Sequence, residues 1–223
     1  MMINVLNSYE ELSNCVADIV EKQIKEEKRS RLTLPTGSTP LGMYEELVRR
    51  KLDWTYVMTW NLDVYLMNVD HPQSYQTYMK KNFFNRINIY PTLCHFPDRN
   101  TRLFEQVMKG HSGIDLCILG IGSNGHIGFN EPGSPFDSRT RVVVLDEQTI
   151  KDNSRFFDSI EDVPTQAITM GLGTIMDSKR IVLMANGKHK KDILDKAMNG
   201  RVTERVPASI LQRHDNVEVY YCD

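Results

Sequence analysis

The side chains best suited to chemistry sit where apolar runs end. Ile114 to Leu119 is one such run, and Gly120-Ile121-Gly122-Ser123-Asn124-Gly125-His126-Ile127-Gly128-Phe129-Asn130-Glu131-Pro132 follows it. An imidazole at His126 moves protons near neutral pH, and a carboxylate five residues on, Glu131, can orient its ring. Asn124 adds a hydrogen-bonding amide to the same loop. A second run, Val57 to Leu62, ends in Asp63. A carboxylate there can accept a proton, and burial can tune its affinity for one. A third run, Arg31 to Leu34, leads into Thr36-Gly37-Ser38-Thr39-Pro40. Small hydroxyl residues and a glycine before a helix suit a phosphate, because free N–H groups point outward at a helix N-terminus. Lys190 follows Gly187 at the end of another run, and Arg155 stands between Ser154 and the pair Phe156-Phe157. Both are candidate cations for the same anion, and the two aromatics are expected to shield the arginine.

Rival readings of these loops lack a necessary part. Gly120, Gly122 and Gly125 match the dinucleotide-binding glycine pattern, and Asp146 lies near the ribose-binding offset. That site needs a helix directly after the third glycine, and Pro132, Gly133 and Pro135 oppose one. The Thr36 loop lacks the lysine of a Walker motif, and no nucleophile elbow is present. Cys15, Cys94, Cys117 and Cys222 are scattered without zinc spacing, so no metal and no cofactor are expected. What remains is proton transfer on a phosphorylated metabolite. An aldose–ketose conversion needs a base between adjacent carbons and a group that assists ring opening, roles open to Asp63 and His126. Hydrolysis of a lactone or a phosphate ester stays open beside it.

These loops must be positioned by regular elements. Leu12, Val16, Ile19, Val20 and Ile24 recur at steps of three and four, which predicts a helix over residues 9–27. Further helices are expected over 41–50, with Thr39 as N-cap and Pro40 at the first helical position, and over 74–84, 101–108, 166–176 and 190–198. Strands are expected at 31–34, 57–62, 114–119, 140–145, 181–184 and 217–221, and residues 90–99 read as irregular. The alternation predicts an α/β fold: a single open, mostly parallel sheet with helices on both faces, Rossmann-like, forming one domain over residues 1–223. A length of 223 residues and a formal net charge of -2 give no reason to expect nucleic acid as a partner. No apolar run approaches the ~20 residues of a membrane helix, the first residues do not resemble a secretory signal, and a cytoplasmic location is expected.

The segments LPTGSTPLGMYEELV, NLDVY, HPQSYQTYMKKNFF, LGIGSNGHIGFNEPGSPFDSRTR, NSRFFD and VPASILQRH together resemble the glucosamine-6-phosphate deaminase family, in its order and over most of the chain. The resemblance implies conversion of glucosamine 6-phosphate and water to fructose 6-phosphate and ammonia. It implies Asp63 as the base between C2 and C1, His126 as the ring-opening group, and Glu131 and Asn124 as its partners, the last in a position that is Asp in some relatives. Thr36, Gly37, Ser38, Thr39, Arg155 and Lys190 would hold the phosphate. The chain departs from the family at Val64, often Glu, in the short loop up to His71, and between Pro91 and Thr101. Galactosamine 6-phosphate, the epimer, is therefore an alternative substrate, as is a lactone of the related 6-phosphogluconolactonases. The end at Asp223 resembles members without the extension of large allosteric oligomers, so a monomer or small homo-oligomer acting on a small amino-sugar phosphate is expected.

Overall fold

In the computed structural model, which describes residues 2–223, alternate residues of each central strand feed two separate cores. In Leu116–Leu119, Leu116 and Ile118 pack on one side of the sheet while Cys117 and Leu119 pack on the other. In Ile181–Asn186, Val182 and Met184 face the first core, and Ile181, Leu183 and Ala185 the second. Strands apolar on both faces belong in a buried parallel sheet, since side chains alternate with period two.

The strands are β1 (Ile3–Leu6), β2 (Arg31–Leu34), β3 (Met58–Asn61), β4 (Asp63–Tyr65), β5 (Cys94–His95), β6 (Leu116–Leu119), β7 (Arg141–Val144), β8 (Gln166–Thr169), β9 (Ile181–Asn186) and β10 (Val217–Cys222). The helices are α1 (Tyr9–Glu26), α2 (Leu41–Arg49), α3 (Tyr75–Asn82), α4 (Thr101–Gly110), α5 (Glu147–Asn153), α6 (Leu172–Met176) and α7 (Lys191–Asn199). The main sheet has the order β1-β10-β9-β6-β2-β3-β5, and every pairing in it is parallel. Helices α1, α2 and α3 cover one face, and α4, α6 and α7 the other. The chain proceeds outward from β2 in one direction and from β6 in the other. The crevice beyond their carboxyl ends is the switch point where ligands bind in open α/β sheets. Among the described residues, no helix is long and apolar enough to cross a membrane.

The structure corrects several expectations. The segment 140–145 is a strand, β7, but it lies outside the main sheet. It pairs antiparallel with β8, which pairs antiparallel with β4 in a second, three-stranded sheet. Residues 166–176 are therefore not one helix. Gln166–Thr169 is strand, and only Leu172–Met176 is helical. Gly171 marks the break, because a Cβ there would lie 2.1 Å from the Ser138 carbonyl oxygen. Helix α2 begins at Leu41 with Pro40 in the capping position, and Thr39 does not cap it. Instead, the Tyr9 hydroxyl accepts the Gly42 N–H at 2.8 Å. Strands β1 and β5 and helix α5 were not expected.

Candidate active site

A cavity of about 260 Å³ opens at the switch point, lined by Thr36 to Thr39, Asp63, Tyr75, Gly120 to Gly122, His126, Asn153, Arg155, Asn186 and Lys190, among others. Eight of the ten residues singled out as catalytic or phosphate-binding candidates line it. The other two, Asn124 and Glu131, each contact His126.

Asp63 opens β4 immediately after the chain leaves β3, and Leu62 between them accepts the Met170 N–H at 2.7 Å. The handover from one sheet to the other buries the carboxyl, which is 7% exposed. Burial without a compensating cation raises its pKa from 3.8 to about 7. Gly128 (φ +56) passes over it so closely that a Cβ would lie 3.6 Å from Asp63 Oδ2 and 2.8 Å from Thr169 Oγ1. A side chain at Gly128 would be strained by its backbone and would intrude above Asp63. Val64 is buried in β4 opposite Ile168 and does not line the cavity, because alternation turns it away from Asp63. The departure noted at Val64 therefore lies outside the cavity wall.

The loop after β6 folds back as a tight turn and not as a helix. Gly122 N–H donates to the His126 carbonyl at 2.9 Å, Ile127 bridges Asn130, and the next helix starts only at Glu147. A helix N-terminus for a pyrophosphate is absent from this loop. Buried Asn130 anchors the return. Its amide donates to the Ile127 and Met170 carbonyls at 2.9 and 2.7 Å, and its oxygen accepts from Arg141 at 2.8 Å. The turn brings Glu131 Oε2 within 3.4 Å of His126 Nδ1. Asn124 donates its amide to the same oxygen at 2.8 Å and accepts the His126 N–H at 3.2 Å. Burial works to raise the Glu131 pKa, but the bonds and charge of His126, with Thr149 and Asn124, outweigh it and leave the value lowered. The carboxylate is thereby held ionised beside the ring.

Opposite lies the Thr36 to Thr39 loop, the candidate anion cradle. The hydroxyls of Tyr78 and Tyr9 engage the carbonyls of Gly37, at 2.6 Å, and Thr39, at 2.9 Å. Among the described residues, no acceptor takes the N–H groups of Gly37, Ser38 and Thr39. The Thr39 hydroxyl donates to Asn186 Oδ1 at 2.8 Å, tying the cradle to the end of β9. Lys190 ends the turn before α7, and its pKa is lowered by burial, restored in part by Asp152 and lowered further by Arg155. Two cations held together in this way favour an arriving anion. Arg155 is exposed, not shielded as expected, although its guanidinium carbon sits 4.7 Å over the Phe156 ring.

Tyr75, Thr149, Asp152 and Asn186 were not singled out from the sequence. Tyr75 stacks near Phe129 and Tyr65 and bonds to Thr36. Its signal is its place in the HPQSYQTYMKKNFF segment, which carries both a helix expectation and part of the family resemblance.

The family described as glucosamine-6-phosphate isomerases/6-phosphogluconolactonase matches residues 7–220. The glucosamine-6-phosphate deaminase of Thermoanaerobacter sp. (strain X514) is 47% identical over 231 residues, spanning 98% of this chain and 91% of its own. That of Clostridium acetobutylicum is 46% identical over 98% of this chain and 96% of its own. A solved monomeric glucosamine-6-phosphate deaminase superposes with a TM-score of 0.97 at 42% identity, covering 100% of this chain and 97% of that one. A 6-phosphogluconolactonase from Thermotoga maritima shares the fold, with a TM-score of 0.78 at 19% identity over 99% of this chain and 98% of that one.

Proposed function

The chain belongs to the family of glucosamine-6-phosphate isomerases and 6-phosphogluconolactonases, and within it we propose that this protein is a glucosamine-6-phosphate deaminase. The carrying observation is a single cavity with a buried, proton-affine carboxylate and a His–carboxylate pair on one side and two cations beside free N–H groups on the other. We assign roles as follows. The Thr36 to Thr39 cradle, Lys190 and Arg155 hold the phosphate. His126, oriented by Glu131 and Asn124, relays the proton that opens the pyranose ring. Asp63 takes the proton from C2 and returns it to C1. The C1 aldehyde becomes an alcohol, the C2 amine becomes an imine, and water then releases ammonia and leaves the C2 ketone of fructose 6-phosphate. Each step moves protons, adds water or expels ammonia, so none needs an oxidant or a reductant.

The test is ammonia release from glucosamine 6-phosphate, with coupled detection of fructose 6-phosphate, in chelator and without added nucleotide. Galactosamine 6-phosphate and 6-phosphogluconolactone serve as comparisons. Folded protein that gives no ammonia above background sinks the reading. Faster turnover of either comparison substrate reassigns it. The likeness to a monomeric relative supports a monomer or small homo-oligomer, which sedimentation measures.

The phosphate assignment gives its own expected result. Lys190→Ala and Arg155→Ala should each weaken binding of an inert amino-sugar phosphate by about ten- to a hundred-fold, the worth of one charge-assisted hydrogen bond. Lys190 is the more buried and should show the larger loss. Calorimetric titration reads both, and unchanged affinity in the pair would return these cations to the solvent.

A further inference from the structure

Three tyrosines hold the loop from Pro35 to Thr39 from beneath, one from each helix on that face of the sheet. Tyr44 of α2 donates its hydroxyl to the Pro35 carbonyl at 2.5 Å. Tyr78 of α3 donates to the Gly37 carbonyl at 2.6 Å. Tyr9, the first residue of α1, places its hydroxyl 3.2 Å from the Ser38 carbonyl and 2.9 Å from the Thr39 carbonyl, and accepts the Gly42 N–H at 2.8 Å. All three rings pack in or against the core under the loop, and none lines the cavity. Burial raises the pKa of Tyr44 and of Tyr78, so both hydroxyls remain donors at neutral pH.

A peptide unit is planar and trans, so its C=O and N–H point in opposite directions. A hydroxyl that holds the carbonyl of one residue therefore aims the N–H of the next. Tyr44 sets Thr36 in this way, Tyr78 sets Ser38, and Tyr9 sets Thr39 through the Ser38 carbonyl. The carbonyls turn to the core, and the N–H groups turn to the cavity that the loop lines. The peptide between Gly37 and Ser38 needs this hold most. Gly37 sits at φ +97, and a glycine restricts the plane beside it little. A flipped plane would put the Gly37 carbonyl where the Ser38 N–H stands, presenting a negative dipole end to an arriving anion. Successive N–H groups form an anion-binding concavity only while their planes hold.

We propose that Tyr78 and Tyr9 are positioning residues that fix the loop's peptide planes with their N–H groups outward, so that the phosphate subsite is formed before any substrate arrives. The inference rests on the loop's proposed role as phosphate cradle, not on the deamination. A preformed cradle binds without the cost of ordering itself around the anion. The two hydroxyls bond neither Asp63 nor His126. Ground state and transition state therefore gain from them equally, and their effect belongs in KM and not in kcat.

The test is Tyr78→Phe, which keeps the ring and its packing and removes a hydroxyl that, among the described residues, bonds only Gly37. Inorganic phosphate is the probe. Calorimetry should find its affinity weakened about three- to tenfold in Y78F, the worth of one neutral hydrogen bond. Tyr9→Phe should weaken it at least as much, since that hydroxyl serves both Ser38 and Thr39. Tyr220→Phe is the control. Its hydroxyl bonds Glu218 at 2.8 Å beside the same core, and the variant should bind phosphate as the parent does. In amide NMR spectra of the ligand-free protein, Ser38 should give one sharp signal in the parent and a broadened or doubled one in Y78F. With glucosamine 6-phosphate, Y78F should raise KM by the same factor as the phosphate loss, with kcat little changed. Parental phosphate affinity in Y78F, an equal loss in Y220F, or a fall in kcat at constant KM overturns the positioning role. A parent that binds no phosphate overturns the cradle and the proposal with it. If the parent binds phosphate but releases no ammonia, the deaminase reading falls, and the titration and the Ser38 signal still decide the role of the tyrosines.

Discussion

Asp63→Asn should abolish most turnover and at the same time stabilise the protein. Asparagine keeps the size and hydrogen bonding of the side chain but cannot accept a proton. Removal of a general base costs about 10²–10⁴-fold in rate. Substrate affinity should hold, since the cradle and the cations are untouched, and deuterium incorporation at C1 of the product should fall with the rate. The stability effect follows from burial. A carboxyl of pKa about 7 in the fold and 3.8 in the unfolded chain binds more protons when folded, so stability is full below pH ~4 and declines as pH rises towards 7. That difference corresponds to roughly 4 kcal/mol at most, because the site relaxes and admits water when charged. Denaturant titration at pH 8 should therefore find D63N more stable than the parent by about 2–4 kcal/mol, and the gap should vanish near pH 4. In the parent, kcat/KM should rise with pH through about 7 as the base ionises. Near-normal turnover in D63N, or a stability gap independent of pH, would place the base elsewhere.

This conflict between stability and chemistry is legible in the sequence only in part. That Asp63 ends an apolar run could be read from the chain. That the run breaks at Leu62 and restarts in a second sheet could not. Strand β4 has three residues, and its partner β8 lies about a hundred residues away, beyond the reach of any local pattern. The same blindness made one helix of residues 166–176. Gly171 lies inside that span, where it is required by the Ser138 backbone packed against it. Local signals fared better where they sufficed. Helix α1 buries Leu12, Val16, Ile19, Val20 and Ile24, as the three-and-four spacing predicts, and β2 spans Arg31–Leu34 as expected. The absence of a helix after Gly125 followed from Pro132 and Pro135. Asp146 carried a capping signal for α5, and its side chain does accept the Gln148 N–H. The same aspartate lies near the ribose-binding offset, and that coincidence masks the helix and with it Thr149.

Gly122→Ala should disable His126 without touching its imidazole. The ring lies flat against Gly122, so that a Cβ would fall 2.2 Å from Cε1, 2.3 Å from Nε2 and 2.4 Å from Nδ1. No real contact is that short, so the ring must leave its place beside Glu131. The backbone at Gly122 does not occupy the left-handed region, so alanine adds no strain of its own and the fold should survive. Gly110→Ala, at the end of α4 with nothing near its Cβ, controls for the backbone effect of the exchange. G122A and His126→Gln should each lose about a hundred-fold in kcat/KM on cyclic glucosamine 6-phosphate, within the range of general acid–base catalysis. On an open-chain analogue that cannot cyclise, both should lose far less, because the step that His126 assists has already been bypassed. Glu131→Gln should show the same asymmetry more weakly, since it acts through the ring. D63N provides the contrast, because the C2 proton must move in either form and both substrates should suffer alike. Equal losses on the two substrates in G122A and H126Q would take His126 out of ring opening, leaving it to bind or support the loop.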